Sequence, residues 1–78
     1  MFQGWKNYET WVTALWISND YHLCQSISDV IESDGDAEKY IKEIIEEHSP
    51  RIDGLYDDLL QSSIAKIDYR EIVENYAD

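Results

Sequence analysis

Asn7-Tyr8-Glu9-Thr10-Trp11-Val12-Thr13-Ala14-Leu15-Trp16-Ile17-Ser18-Asn19-Asp20 reads as one helix, its stop and the start of the next. Tyr8, Trp11, Val12, Leu15 and Trp16 fall at i, i+3, i+4, i+7 and i+8, the spacing of a single helical face. Asn7 is placed as an N-cap, its side chain accepting from the first free backbone N–H groups. Asn19-Asp20 closes the segment. The expectation is that Trp11 and Trp16 face a core and that this helix is the spine of the fold. Ile17 lies opposite Tyr8 on the helical wheel and is expected in an exposed apolar spot. Trp5, just before the helix, packs as a hydrophobic staple or stays exposed.

The same period continues outward. Asp20 caps a second helix through Leu23, Cys24, Ile27, Val30 and Ile31, which stops in Ser33-Asp34-Gly35 with Gly35 suited to a left-handed position. Asp36 opens a third helix with Ala37, Tyr40, Ile41, Ile44, Ile45 and His48 on one face and a favourable Glu38–Lys42 pair on the other. Ser49-Pro50 reads as a break and restart, Ser as cap and Pro at N1. The fourth helix presents Leu55, Tyr56, Leu59, Leu60, Ser63 and Ile67, with Gly54 weakening its first turn. Asp68-x-x-Glu71 resembles a capping box before a last helix with Tyr69, Ile72, Val73 and Tyr76 inward. No segment has a period of two. The sequence predicts an all-α domain over residues 1–78, a compact bundle of four to five short helices. Such helices are unstable alone and depend on packing.

Charge is unevenly spread. Residues 1–28 carry Lys6 against Glu9 and Asp20, and residues 29–78 carry 15 Asp and Glu against five Lys and Arg. The total of −11 implies self-repulsion that a basic partner would relieve. It argues against direct binding to nucleic acid or anionic lipid, both of which need cations. Seventy-eight residues make a thin core, yet 44% of them are apolar, more than an acidic disordered tail would hold. A single cysteine, Cys24, allows no internal disulfide and points to a reducing cytoplasm, that of a host cell. Met1-Phe2-Gln3-Gly4-Trp5 has neither a basic start nor an apolar run, so no signal peptide is expected, and no apolar stretch is long enough to cross a membrane.

Catalytic signatures are missing. There is no Gly-rich phosphate loop, no Gly-x-Ser-x-Gly elbow and no His-Glu-x-x-His. Adjacent carboxylates such as Glu46-Glu47 and Asp57-Asp58 point about 100° apart on a helix, so neither forms a dyad. His22 and Cys24 stand two residues apart, on different helix faces, and His48 is distant, which matches no zinc spacing. Asp34-Gly35-Asp36 lacks the rest of a calcium loop. No enzyme activity, metal or cofactor is expected. The carboxylates that recur three or four residues apart are Glu43, Glu46 and Glu47, then Asp53, Asp57 and Asp58, then Asp68, Glu71 and Glu74. Helical residues so spaced rise about 4.5–6 Å, comparable with successive phosphates on one strand. A rigid ridge of this kind fits a groove built for nucleic acid and is steered there by charge.

Asn7-Tyr8-Glu9-Thr10-Trp11, followed by Ala14-Leu15-Trp16-Ile17-x-Asn19-Asp20, resembles the opening signature of a family of small, mostly uncharacterised phage and plasmid proteins. Asp58-Leu59-Leu60-x-x-Ser63-Ile64-x-x-Ile67-Asp68-Tyr69-x-Glu71-Ile72-Val73 resembles that family's ending, where Trp is usual at Tyr69 and Ala at Ser63. The resemblance implies a mobile-element origin. By size and charge alone, the chain is similar to anti-CRISPR and anti-restriction proteins that mimic DNA. The leading expectation is therefore an inhibitor of a host nucleic-acid-targeting defence system. It would occlude a basic nucleic-acid-binding protein or complex through Glu43, Glu46, Glu47, Asp53, Asp57, Asp58, Glu71 and Glu74. The alternative is a small helical adaptor that binds a protein through an aromatic patch around Trp5 and Ile17. A homodimer is compatible with either.

Overall fold

In a computed structural model, which describes residues 2–49 and 53–77, five α-helices follow one another. They are α1 (Tyr8–Ser18), α2 (Tyr21–Glu32), α3 (Ala37–Glu47), α4 (Leu55–Ala65) and α5 (Tyr69–Ala77). The all-α expectation holds. Among the described residues the one β feature is an isolated bridge between Phe2 and Trp5, closed by hydrogen bonds in both directions.

Four helices start where short polar side chains dictate. Asn7 accepts from the Thr10 N–H at 2.8 Å, Asp20 from Leu23 at 3.1 Å, Asp36 from Lys39 at 3.0 Å and Asp68 from Glu71 at 3.1 Å. Each such cap contributes about 0.5–2 kcal/mol. The fourth helix departs from expectation. It begins at Leu55 behind Gly54, which offers no capping side chain, and not at the predicted Ser49 cap. Pro50, predicted at N1, lies outside the described residues.

The end of α2 is a Schellman turn. The Gly35 N–H donates to Val30 C=O at 2.8 Å and the Asp34 N–H to Ile31 C=O at 3.1 Å. The left-handed residue is Asp34, φ 59°, and not Gly35 as predicted. Gly35 is required for a different reason: a Cβ there would stand 2.9 Å from Val30 Cγ1 and 3.1 Å from its carbonyl oxygen.

Helices α1, α2, α3 and α5 close a ring, α1 on α2, α2 on α3, α3 on α5 and α5 on α1. Ile17, Ile27, Ile41 and Ile72 meet inside it, and Ile27 and Ile72 are wholly inaccessible. Burying one such side chain is worth about 1.5–3 kcal/mol. The expected inward residues of α2, α3 and α5 pack on this cluster, among them Leu23, Cys24, Ile31, Tyr40, Ile45, Tyr69, Val73 and Tyr76. His48, expected on the same face of α3, is exposed as its C-cap.

The inward face of α1 is not the predicted one. Thr10 and Ile17 are buried with Ala14 between them, whereas Trp16 is 73% exposed and Tyr8 and Leu15 are exposed too. Seven of the ten positions from Tyr8 to Ile17 are apolar and they are spread round the helix, so hydrophobic period alone singles out no face. The narrow stripe of Thr10, Ala14 and Ile17 lets α5 come close and leaves the large rings outside. Trp11 is half-buried and stacks with Phe2 and Tyr8, ring centroids 5.1 and 5.7 Å away, instead of joining the isoleucine cluster. Ile17 is core and not an exposed spot. Trp5 is half-buried against that core, and Ile17, being buried, adds nothing to an exposed patch beside it.

Helix α4 stands apart. It has no buried residue, and Leu55, Tyr56 and Leu59, predicted inward, are exposed, as is Ser63. Leu60 and Ile67, also predicted inward, are half-buried, as is Ile64. The radius of gyration, 13.0 Å, exceeds the roughly 11.5 Å of a compact chain this long.

Candidate functional site

The two stretches that carried the family resemblance meet in space. Thr10, fully buried, accepts at Oγ1 from the Asp68 backbone N–H at 2.9 Å. Asn7 caps α1 with its oxygen and donates its Nδ2–H to the Lys66 carbonyl at 2.8 Å. Glu71 does not close the predicted capping box with Asp68. Its Oε1 accepts from the Lys6 backbone N–H at 3.0 Å, while Lys6 Nζ lies 3.6 Å from Asp68 Oδ2. The signature residues thus join the start of α1 to the start of α5. They form a clasp between the two ends of the domain.

The predicted binding carboxylates separate into two groups. Glu71 is half-buried in the clasp, Glu74 is bonded to Arg70 at 3.1 Å, and Glu43 lies 4.0 Å from Lys39. That Lys39–Glu43 contact takes the place of the predicted Glu38–Lys42 pair, which is not formed. Glu46, Glu47, Asp53 and Asp58 are exposed and have no ion-pair partner among the described residues; Asp57 is half-buried in the first turn of α4. In sequence these five stand at the end of α3 and at the start of α4. The helix N-terminus of α4 favours Asp57 and Asp58 there.

Between α1, α3 and α4 runs an apolar groove of about 500 Å³. Val12 and Trp16 of α1, Leu23 of α2, Ile45 of α3 and Leu60 and Ile64 of α4 line it, with Asp20 at its edge. Sequence reasoning missed this groove, because it placed Trp16 inside and treated α4 as packed. The available signal was a first helix apolar all round, which must leave one apolar side unburied. A second depression, about 340 Å³, lies over Trp5, Trp11, Cys24 and Tyr76.

Cys24 Sγ donates to the Ile17 carbonyl at 3.0 Å and lies 3.4 Å from the Tyr76 hydroxyl. Burial, and then the hydrogen bond with Cys24, raise the Tyr76 pKa well above the usual phenol value. Burial also raises Tyr69, with a smaller contribution from the Glu46 carboxylate. Ser49 Oγ and Tyr69 Oη are buried without a hydrogen-bond partner. His22 and His48, far apart in sequence, line one shallow depression with Asp20. Among the described residues no group of three or more His, Cys, Asp and Glu is placed to hold a metal ion. None of the described helices is long and apolar enough to cross a membrane.

These features define a small acidic all-α domain, with a four-helix ring, a peripheral fourth helix and a terminal clasp. The chain belongs to DUF7249, a family of unknown function whose model matches residues 1–78. No curated protein and no solved structure matches it.

Proposed function

We propose that this protein is a mobile-element-encoded inhibitor that binds a basic, nucleic-acid-binding surface of a host defence complex and acts by occlusion, without chemistry. One observation carries the reading. Glu46, Glu47, Asp53 and Asp58 are exposed carboxylates with no ion-pair partner among the described residues, close in sequence within a chain of net charge −11. Charge of this kind weakens the fold by self-repulsion, and a cationic surface relieves it. Glu43, Glu71 and Glu74 have cationic or backbone partners within the chain, so they belong to the periphery of such an interface. Binding would take place in the host cytoplasm.

The second reading, a helical adaptor, now rests on different residues. Trp16, Tyr21 and Tyr56 are 73%, 75% and 68% exposed, an unusual aromatic load for a small surface.

The test uses a partner captured from host lysate after nuclease treatment. Inhibition by occlusion predicts that the protein displaces a labelled DNA duplex from that partner. The Glu46→Lys, Glu47→Lys, Asp57→Lys, Asp58→Lys quadruple variant should not. Binding should weaken steeply with salt, mainly through the association rate. Wild-type binding without displacement, insensitive to charge reversal, would reject the reading.

A further inference from the structure

We propose that α4 is a detachable flap: it comes off the four-helix ring and unwinds as one unit while α1, α2, α3 and α5 stay folded. The proposal is independent of the inhibitor reading. Nothing polar holds α4 in place. Among the described residues, no hydrogen bond and no ion pair joins residues 55–65 to another helix. The start of α1, by contrast, is bonded to the start of α5 through Thr10 and the Asp68 N–H at 2.9 Å. The apolar hold is also slight. No residue of α4 is buried, and half-buried Leu60 and Ile64 face the ring across the groove they share with Val12, Trp16, Leu23 and Ile45. Each ring helix instead places an isoleucine in the closed cluster, Ile17, Ile27, Ile41 or Ile72. Local stability follows buried apolar contact, so α4 stands at the low end of this molecule.

Both ends of α4 suit release. Gly54 supplies no capping side chain, has φ 71°, and has no atom within 4 Å of where a Cβ would stand. Beyond the other end, the Lys66 carbonyl accepts from Asn7 Nδ2 at 2.8 Å and Ile67 packs on the core cluster. The chain from Lys66 onward is thus fixed to the ring, and α4 can leave without disturbing α5. Once off the ring, eleven residues do not hold a helix in water, so detachment unwinds it. Glu46 and Glu47 stay with α3 while Asp57 and Asp58 move with α4. The exposed carboxylates therefore fall into a fixed set and a movable set.

Native-state amide exchange, followed by NMR on the full chain from zero to sub-denaturing urea, tests this. The N–H groups of Leu59 to Ile64 should be about 100-fold less protected than those of Ile27, Ile41 and Ile72. Their exchange should hardly respond to urea, because unwinding α4 exposes little new surface, whereas the ring amides should accelerate steeply. The Asp68 N–H should behave with the ring. Ile27→Val trims the buried cluster and weakens the ring equally whether α4 is on or off. It should speed the Ile41 and Ile72 amides about two-fold or more and leave Leu59 to Ile64 unchanged. One protection level and one urea slope shared by α4 and the ring would overturn the proposal, as would equal acceleration of both in Ile27→Val. So would a steady gradient of protection along α4, which marks fraying from an end and not release as a unit.

Discussion

Replacing Thr10 by valine isolates the contribution of the clasp. Valine has nearly the shape of threonine and fills the same fully buried space. What disappears is the acceptor for the Asp68 N–H, now 2.9 Å from Oγ1. That N–H sits at the N-cap of α5, where no other acceptor is bonded to it. Loss of an ordinary hydrogen bond costs about 1 kcal/mol, but a donor stranded away from water costs about 1–3 kcal/mol. The total stability of a chain this size is on the order of 4–12 kcal/mol. A loss of about 2 kcal/mol therefore lowers the melting temperature by roughly 8–16 °C. With a urea m-value of about 1 kcal/mol/M, the midpoint falls by about 2 M. Thr10→Ser is the control: it keeps the oxygen and loses one methyl group, worth about 0.8 kcal/mol. Amide exchange separates the two effects, since the Asp68 N–H should exchange faster in Thr10→Val and not in Thr10→Ser. A Thr10→Val protein melting within about 2 °C of the parent would refute the reasoning, because no donor would then have been stranded.

Other expectations follow from the same geometry. Ile27→Ala should cost about 2–5 kcal/mol, whereas Trp16→Ala should fall within about 0.5 kcal/mol of the parent in urea melts, the reverse of a ranking by size. Gly35→Ala should destabilise through its 2.9 Å approach to Val30 Cγ1, seen as a lower melting temperature despite the gain in helix-forming propensity. Stability should rise between low salt and 0.3 M, because 15 carboxylates face five cations in residues 29–78 and screening reaches about 8–10 Å; a melting temperature that falls would mean the charges are already neutralised. Tyr69 and Tyr76 both have folded pKa values above the ordinary 10.0, so the folded state holds their protons longer than the unfolded chain. Their contribution is complete below pH 10 and is lost as pH rises through their folded values. Alkaline unfolding should therefore be shallower in Tyr76→Phe than in the parent.

Four of the five helix starts are legible in the sequence, because a cap acts over three residues. Asn7, Asp20, Asp36 and Asp68 each bond the N–H three positions on. The sequence also determined the faces of α2, α3 and α5, where polar residues alternate with apolar ones at a helical period. The excess of carboxylates was likewise plain from composition. Which side of α1 is inside depends on packing between helices. With both sides apolar, the choice fell to the narrow Thr10–Ala14–Ile17 stripe that fits against α5. The Thr10–Asp68 bond spans 58 residues, beyond the reach of any local pattern. Glu71 reads locally as the second half of a capping box, yet Lys6, 65 residues away, takes its carboxylate. The exposed carboxylates and the groove divide in the same way. Glu46, Glu47 and Asp58 could be named from charge alone, but α4's departure from the ring, with Trp16 left at the groove's edge, follows from how five short helices share one small core.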